Sequence, residues 1–326
     1  MKLHENQELF ADAIQAAAQP VEDGGLGIKS IFIEKDYWIC RSLALMSASD
    51  KDNRAIFKGG TSLTKAYGIG SRFSEDIDIA ITEAWSMSGI QLKQLIRRTA
   101  KNMTEGLEEI PMSGLTSKGT HYHKAYYSYP QAIGTLQAGA IKAGQLLVEI
   151  NSFANPYPFQ KCTLQSFLTE FLQKTGNEAM IEEYDMHPFD VNVLDRRRTL
   201  TEKLVSLIRC SLSENYMTEL TAKIRHFYDL HFLLHDTETK KYLKSSEFTT
   251  DFNTLLIQDQ QRFDKPKGWQ DKTVKDSPII KDLHSVWQAL ENVYTRELPD
   301  LAYKQVPSAD RIEESIAEVM SYISRL

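Results

Sequence analysis

Apolar residues in the first part of the chain recur at intervals of three and four, and then at intervals of two. Residues 5–18 and 30–48 carry the first pattern, which predicts two amphipathic helices. Arg54–Phe57 is a short apolar run that predicts a strand, and it leads into a glycine-containing turn at Lys58–Ser62 and a helix. Asp76–Ile81 alternates acidic and apolar side chains, which indicates a strand with two different faces.

The pattern changes again near residue 195, beyond which every predicted element is a helix. Before that point, residues 89–109 predict a helix, and the remaining predicted strands cover residues 121–129, 145–153 and 189–194. The later predicted helices cover residues 199–213, 217–235, 278–295 and 309–325, with a polar surface loop at 258–277. The sequence therefore predicts the α+β fold class, with a mixed-sheet core over residues 1–195 and a helical domain over residues 196–326.

Composition narrows the class of protein without identifying its chemistry. The chain has 326 residues, 42% of them hydrophobic, and a net charge of −6, so it is not a strongly basic protein that coats nucleic acid. Its three cysteines form no CxxC pair, which argues against a disulfide framework or a zinc site. The N-terminus lacks a secretory signal, and no segment approaches the ~20 apolar residues of a membrane span. We therefore expect a cytoplasmic protein without a membrane anchor.

Two carboxylates in the predicted strand Asp76–Ile81 are candidates for metal binding. Asp76 and Asp78 are two residues apart, so their side chains lie on the same face of a strand. Converging carboxylates repel each other unless a cation lies between them, and magnesium takes oxygen ligands while leaving positions for phosphate and water. Two such ions can stabilise the attacking and leaving oxygens of an in-line displacement.

The turn Gly59-Gly60-Thr61-Ser62 is a candidate for phosphate binding. Glycines allow the backbone to approach a phosphate closely, and a helix N-terminus and the Ser62 hydroxyl offer donors to the same anion. Each feature alone is weakly specific, because a DxD on a strand is more often a solvated face and a GG turn is more often only a turn. Together with Asp76 and Asp78, the turn favours one site for metal and phosphate.

The stretch Phe57–Ile81 resembles the first motif of the DNA polymerase β-like nucleotidyltransferase superfamily. More specifically, GGTSL followed by RFSEDIDIAI resembles the AbiEii/AbiGii toxin family of nucleotidyltransferases, to which the MenT toxins are related. Three other segments resemble motifs of that family: EKDYW at Glu34–Trp38, RTLTEKL at Arg198–Leu204 and KIRHFYDL at Lys223–Leu230. The separation of the glycine pair from Asp76 is longer than in the wider superfamily but suits this family.

The resemblance implies roles for residues in the second half of the chain, which would complete the active site. It implies that Lys203 binds nucleotide phosphate and neutralises charge as pyrophosphate leaves. It also places Asp229 in the active site. Without the resemblance, Lys203 belongs to an exposed helix face and Asp229 forms an i,i+4 ion pair with Arg225, worth about 0.3–0.5 kcal/mol. The two interpretations of Asp229 are compatible, since Arg225 would orient it.

Residues close to these motifs are further candidates. The resemblance to the wider superfamily implies a third carboxylate on a strand beside the acidic strand. Glu149, in the apolar strand LLVEINSF, is the candidate, although an exposed glutamate on an edge strand is an equal alternative. Lys58 and Lys65 flank the glycine turn and are candidates for phosphate contacts. Arg72 and Ser74 precede the acidic pair and are expected to position the loop.

Three other groups are open to a functional and a structural interpretation. His226 is either a helix cap or a ligand. The run Arg196–Arg198, with Arg209 and Lys223, would line an acceptor groove, but such charge runs are usually solvated faces. The segment Glu34–Trp38 contains two large aromatic side chains and is expected to brace the core.

The resemblance implies a nucleotidyltransferase toxin of a toxin–antitoxin or abortive-infection system. We expect it to transfer NMP from an NTP to an acceptor hydroxyl, with tRNA as acceptor, two Mg²⁺ ions (or Mn²⁺) as cofactor and a cognate antitoxin protein as regulator. A local basic surface is sufficient for RNA, so the net charge is compatible with that acceptor. The alternatives are a small-molecule transferase of the antibiotic-modifying type and a module that binds nucleotide without transfer. The expected catalytic residues are Asp76, Asp78, Lys203 and Asp229, the expected metal ligands are Asp76, Asp78 and Glu149, and the expected nucleotide-binding residues are Lys58, Gly59, Gly60, Thr61, Ser62, Arg72, Ser74 and Arg225.

Overall fold

A computed structural model of the protein describes residues 1–134 and 142–326. The chain divides into two compact units. Unit 1 comprises Met1–Gly68 and Phe73–Asp195, and unit 2 comprises Ile69–Arg72 and Arg196–Leu326. The segment Ile69–Arg72 therefore interrupts unit 1 in the sequence. That unit 1 is a catalytic core and that unit 2 completes its site stay predictions.

Unit 1 combines a sheet with helices. Its helices are α1 Gln7–Ala18, α2 Ser30–Ser49, α3 Gly59–Tyr67, α4 Gly89–Met103, α5 Phe167–Lys174 and α6 Glu178–Glu183. Its strands are β1 Ala55–Lys58, β2 Asp76–Ile81, β3 Glu108–Ile110, β4 Ser117–Lys118, β5 Tyr122–Ser128, β6 Gln145–Asn151, β7 Phe159–Leu164 and β8 Phe189–Leu194. The α+β fold class is thus confirmed.

Most of the elements predicted in unit 1 are present, with two boundary errors. The helix predicted to follow the turn Lys58–Ser62 already begins at Gly59, so the glycines belong to its first turn. The helix predicted over residues 89–109 ends at Met103, and β3 follows it. A capping box fixes the start of α4, because Ser88 and Gln91 bond each other's backbone N–H groups.

The strands form one mixed sheet in the order β3-β5-β6-β2-β1-β8-β7, with β4 paired to β5. The acidic strand β2 lies between β1 and β6; it pairs with β1 antiparallel and with β6 parallel. Helix α2 packs against α4 and β8, and α4 packs against β5 and β6. Ile77 and Ile79 of β2 are fully buried, whereas Asp76 and Asp78 are partly exposed. The alternation read from the sequence therefore separates a buried apolar face from a polar one.

Unit 2 is helical apart from the bridge of Arg72 to Ala302. Its helices are α7 Arg196–Ser211, α8 Tyr216–Thr221, α9 Ile224–His235, α10 Thr237–Leu243, α11 Ser246–Arg262, α12 Pro278–Lys281, α13 Leu283–Leu301 and α14 Ala309–Ile323. Helix α7 packs against α8, α9, α10 and α11, and α9 packs against α13 and α14. The core of the unit therefore surrounds the two helices that carry Lys203 and Asp229.

Three sequence predictions in unit 2 need correction. The helix predicted over residues 217–235 is two helices, α8 and α9. The helices α10 and α11 were not predicted; Asp236 and Ser245 cap them by accepting from backbone N–H groups. The predicted surface loop 258–277 begins inside α11 and contains the fully buried Trp269, whose indole N–H donates to the Phe263 carbonyl at 2.7 Å.

No helix within residues 1–134 and 142–326 combines the length and the apolar character that a membrane span requires.

Candidate functional site

The glycine turn between β1 and α3 brings the backbone against a carboxylate. Gly59 has a φ of +82°, a left-handed conformation that favours glycine. A Cβ atom at this position would collide with the carboxylate of Asp78. Gly59 is therefore required for the conformation of the turn and for its close approach to the acidic strand.

Two hydroxyl groups of the turn hold its structure. Thr61 donates its hydroxyl proton to the carbonyl of Asp76 at 2.7 Å, and Ser62 donates to the carbonyl of Gly59 at 2.8 Å. Thr61 is 3% exposed and Ser62 is fully buried. The Ser62 hydroxyl is thus buried and bonded to the turn itself, which gives no support to its predicted contact with a phosphate; that contact stays a prediction. The backbone N–H groups at the start of α3 and the Lys58 ammonium stay candidate phosphate donors at this turn.

The acidic strand lies beside a third carboxylate. In the parallel pair of β2 and β6, the Cα partner of Asp78 is Glu149, and in the antiparallel pair of β1 and β2 it is Lys58. Residues in direct register point to the same face of a sheet. The prediction that Glu149 lies on the strand next to β2 is confirmed, and the alternative of an edge strand is wrong, since β6 lies between β5 and β2. Whether Glu149 binds metal stays a prediction.

Glu149 has two protein donors. The ammonium of Lys124 on β5 lies 2.5 Å from Glu149 Oε1, and the hydroxyl of Tyr122 donates to Oε2 at 3.2 Å. Burial and the charges of Glu149 and Asp78 raise the pKa of Tyr122. Burial lowers the pKa of Lys124, but the hydrogen bond and charge of Glu149, with a contribution from Asp76, outweigh it and raise that pKa overall. Lys124 is therefore a cation and Tyr122 a neutral phenol near neutral pH.

The chemistry of the donors fits a hard divalent cation at Asp76 and Asp78. Both side chains are carboxylates on one face of β2 and are partly exposed. Magnesium is satisfied by one or two protein carboxylates because phosphate oxygens and waters complete its shell. Among the residues that the structure describes, no group of three or more His, Cys, Asp or Glu side chains is arranged to hold a metal ion. The protein ligands that fit the cation are therefore Asp76 and Asp78, and substrate and water would complete its coordination shell.

Three consecutive charged residues of α2 are buried. Glu34, Lys35 and Asp36 are at most 1% exposed. The Lys35 ammonium donates to Glu75 Oε2 at 2.7 Å and to the Lys142 carbonyl at 3.1 Å. Because Glu75 directly precedes the first candidate metal ligand, Lys35 fixes the entry to β2.

Asp36 in the same helix braces the helix that follows the glycine turn. Its carboxylate accepts from the Phe167 N–H at 2.7 Å and lies 2.7 Å from the ammonium of Lys65. Burial raises the pKa of Asp36 even though Lys65 opposes the shift. The prediction of a phosphate contact for Lys65 is therefore not supported, because the ammonium is held by a buried carboxylate. The segment Glu34–Trp38 was expected to brace the core through its aromatic side chains, and its charged side chains contribute to this bracing too.

In unit 2, Asp229 on α9 accepts from two cations. The guanidinium of Arg72 donates to both carboxylate oxygens at 2.7 Å, and the ammonium of Lys203 donates to Oδ2 at 2.7 Å. All three side chains are at most 6% exposed. Burial alone would raise the pKa of Asp229, but Arg72 and Lys203 outweigh burial and hold this pKa well below its usual range. The predicted pair of Asp229 with Arg225 is wrong, since no such ion pair joins the described residues and Arg72 makes a two-pronged contact with the carboxylate instead.

His226 lies beside this network. Its Nδ1 is buried and has no hydrogen-bond partner among the described residues. Burial, with the charges of Lys203 and Lys223, holds the pKa of His226 well below its usual value. The side chain of His226 does not cap α9. The N-cap residue of this helix is Lys223, and its side chain makes no capping hydrogen bond. His226 is thus a neutral imidazole near pH 7.

The basic run at the start of α7 forms ion pairs within unit 2. Arg196 pairs with Asp236 at 3.1 Å, Arg197 with Glu247 at 3.8 Å and Arg198 with Glu202 at 3.5 Å. These contacts favour the solvated-face interpretation of the run. Arg209 and Lys223 do line one cavity of about 840 Å³, but Glu214, Glu219 and Asp264 line it too.

Sequence reasoning missed Lys124, Tyr122 and Glu75. Tyr122 and Lys124 alternate along a strand that was predicted, so their common face was available, but the strand order that brings them to Glu149 was not. Glu75 lies inside the quoted motif, but nothing local indicates that its partner is 40 residues upstream.

The chain is similar to known proteins in sequence pattern and in fold. A family model described as nucleotidyl transferase AbiEii toxin, type IV TA system, matches residues 41–315, which excludes Glu34–Trp38. MenT4, a nucleotidyltransferase toxin from Mycobacterium tuberculosis H37Rv, is similar in structure with a TM-score of 0.58 and 16% identity, over 97% of this chain and 90% of that one. JHP933 from Helicobacter pylori gives a TM-score of 0.44 and 16% identity, over 90% and 92% of the two chains. No curated protein sequence matches the chain.

Proposed function

Because the chain belongs to the AbiEii family of nucleotidyltransferase toxins, we propose that it transfers NMP from an NTP to an acceptor hydroxyl at the polar face of β2. The observation that carries this proposal is the placement of Asp76 and Asp78 beside the Gly59 turn, where the backbone at the start of α3 approaches the Asp78 carboxylate. One short segment thus offers carboxylates for a cation and N–H groups for a triphosphate.

Asp76 and Asp78 bind the divalent cation, and magnesium suits their carboxylate oxygens best. The bound ion supplies positive charge to the oxygens of the α-phosphate during transfer. The N–H groups of Gly59 and Gly60 at the start of α3, with the ammonium of Lys58, bind the triphosphate. The acceptor oxygen bonds to the α-phosphorus, the bond to the bridging oxygen breaks, pyrophosphate leaves with that oxygen, and the hydroxyl proton passes to solvent.

Lys203 and Asp229 take part in the same reaction in the roles that the family resemblance implies. Lys203 neutralises the leaving pyrophosphate, and Asp229 holds its ammonium at 2.7 Å. Arg72 is a positioning residue, since it donates to both oxygens of Asp229. Arg225 lacks an ion pair with Asp229 in this arrangement and is retained only as a candidate for nucleotide contact.

The acceptor we propose is RNA, and tRNA in particular, and the regulator is a cognate antitoxin. The support is the resemblance of Arg198–Leu204 and Lys223–Leu230 to motifs of toxins in this family. No described feature favours a small-molecule acceptor.

The test is labelling of RNA with each α-labelled NTP in magnesium, using purified tRNA and total RNA. Wild type should label tRNA with at least one NTP, and Asp76→Asn and Asp78→Asn should lower labelling at least about 100-fold. Glu108→Gln, an exposed carboxylate on β3, is the matched control and should label as wild type. Equal labelling by Asp76→Asn would show the site to be wrong. A folded, magnesium-loaded wild type that labels no RNA would favour nucleotide binding without transfer, or a small-molecule acceptor.

A further inference from the structure

Four charged residues lie in one row across four strands of the sheet. The Cα partner of Lys58 on β1 is Asp78 on β2, the partner of Asp78 is Glu149 on β6, and the partner of Glu149 is Lys124 on β5. Side chains in direct register share a face. Two carboxylates at the centre of the row are therefore flanked by a lysine on each side.

Lys124 is in close contact with Glu149, its neighbour in this row. Its ammonium lies 2.5 Å from Glu149 Oε1, and the Tyr122 hydroxyl occupies the other oxygen of Glu149 at 3.2 Å. The side chains of Lys124 and Glu149 are 29% and 21% exposed. The pair is thus partly withdrawn from water, which strengthens it relative to a surface ion pair.

A carboxylate that is held by an ammonium is a poor ligand for a divalent ion. A metal at Glu149 would face the positive charge of Lys124 at close range, and displacing that ammonium would leave it partly buried without its partner. The negative charge of Asp76 also favours the ammonium of Lys124.

Resting on the function proposed above, we propose that Lys124 is a resident cation at Glu149, in the place that a second divalent ion would take. The site then binds one divalent ion, on Asp76 and Asp78. Lys124 is a positioning residue that neutralises Glu149 and keeps it from acting as a metal ligand.

The test is Mn²⁺ binding to the full chain without nucleotide, followed by the electron paramagnetic resonance signal of free Mn²⁺. In the wild-type background, Glu149→Gln should leave Mn²⁺ affinity unchanged within about twofold. Lys124→Met should create a second Mn²⁺ site, and Glu149→Gln added to it should remove that site, lowering its affinity at least tenfold. Lys124→Arg keeps the charge and should behave as wild type. Lys124→Gln replaces Lys124→Met if the latter does not fold.

Two results would overturn the proposal. The first is a loss of bound Mn²⁺ in Glu149→Gln alone, which would make Glu149 a ligand in the presence of Lys124. The second is a Lys124→Met protein that is folded and binds no additional Mn²⁺. Asp76→Asn tests the metal site of the proposed function separately. If this variant bound Mn²⁺ as wild type does, that site would be wrong, whatever the role of Lys124.

Discussion

Arg72 and Asp229 form a two-pronged ion pair between residues 157 positions apart in the sequence. Nε and Nη2 of Arg72 each donate to a different oxygen of Asp229 at 2.7 Å. The ammonium of Lys203 donates to the same carboxylate at 2.7 Å. Asp229 thus joins three parts of unit 2: the segment Ile69–Arg72, α7 and α9.

Replacing Asp229 by asparagine should destabilise the protein strongly. Arg72 and Lys203 would lose a buried carboxylate that both contact, and breaking such a contact costs about 3–5 kcal/mol. Urea denaturation at pH 7 measures the change in the free energy of unfolding. Arg225→Gln is the matched control on the same helix and should change it by less than about 0.5 kcal/mol, because Arg225 does not pair with Asp229. A comparable loss in the two variants would contradict this account.

The cost of Asp229→Asn should also depend on pH. The pKa of Asp229 in the folded protein lies below its usual value of 3.8. A lowered pKa contributes stability that is fully present above the unfolded pKa and is lost as pH falls towards the folded one. The difference in unfolding free energy between wild type and Asp229→Asn should therefore be constant from pH 5 to 7 and shrink below about pH 4.

Alanine at Gly59 should disturb the site more than alanine at Gly68, although both glycines have positive φ. The left-handed conformation costs an alanine about 1–2 kcal/mol at either position. At Gly68 nothing lies within 4 Å of the added Cβ, whereas at Gly59 the Cβ meets the Asp78 carboxylate. Gly59→Ala should therefore also weaken Mn²⁺ binding, by about 10-fold or more, since it displaces a ligand.

Gly68→Ala provides the comparison for that experiment. It should lower the free energy of unfolding while leaving Mn²⁺ affinity at the wild-type value. Equal Mn²⁺ affinities for the two alanine variants would show that the approach of Gly59 to Asp78 has no role in binding the ion.

Loss of the ion pair between Lys35 and Glu75 should lower both the stability of the protein and its NMP transfer. Lys35 is 1% exposed and Glu75 directly precedes Asp76, so the pair fixes the start of β2. A double-mutant cycle of Lys35→Met and Glu75→Gln should give a coupling free energy of about 1–3 kcal/mol in urea denaturation. Each single variant should also lower NMP transfer by about 10–100-fold, because the neighbouring ligand loses its support.

The surface pair of Lys118 with Glu109 is the matched control for this cycle. Its atoms are equally close, at 2.6 Å, but the side chains are 45% and 36% exposed. Such pairs couple by less than about 1 kcal/mol, and transfer should be unchanged. If the two cycles gave the same coupling, burial would not be what makes the Lys35 pair strong.

The sequence predicted those features of the fold that depend on local periodicity. The strand Asp76–Ile81 has the predicted boundaries because two apolar and two acidic residues alternate within it. The strand Phe159–Leu164 was missed because it lies at the edge of the sheet and Leu164 alone among its residues is buried, so it lacks a strong apolar pattern.

The candidate site was predictable only where its residues are close together in the sequence. Asp76, Asp78 and Gly59 belong to one motif, and their proximity is clear from the order strand, turn, helix and strand. The partners of Asp229 were not predictable, because a neighbour four residues away is a good local candidate and the true partner, Arg72, is distant. The buried hydrogen bond of Ser62 within the turn was not predictable either, because burial of a hydroxyl depends on tertiary packing.

His226 should make the protein less stable as pH falls from neutral. Its pKa in the folded protein lies well below 6.5, because of burial and the charges of Lys203 and Lys223. A lowered histidine pKa contributes stability that is present above the unfolded pKa and is lost as pH falls, since the unfolded chain binds the proton more readily. Relative to His226→Gln, wild type should therefore lose about 1.4 kcal/mol of unfolding free energy between pH 7.5 and 5.5.

Urea denaturation of both proteins at the two pH values measures this loss, and His284 supplies a control of opposite sign. Glu313 accepts from His284 at 2.8 Å and raises its pKa, so the stabilisation by His284 is present at low pH and is lost as pH rises. Wild type should thus lose stability relative to His226→Gln on acidification, but gain it relative to His284→Gln. A stability difference between wild type and His226→Gln that does not change with pH would show that His226 keeps an ordinary pKa in the folded protein, and that its buried Nδ1 is reached by water or by a partner.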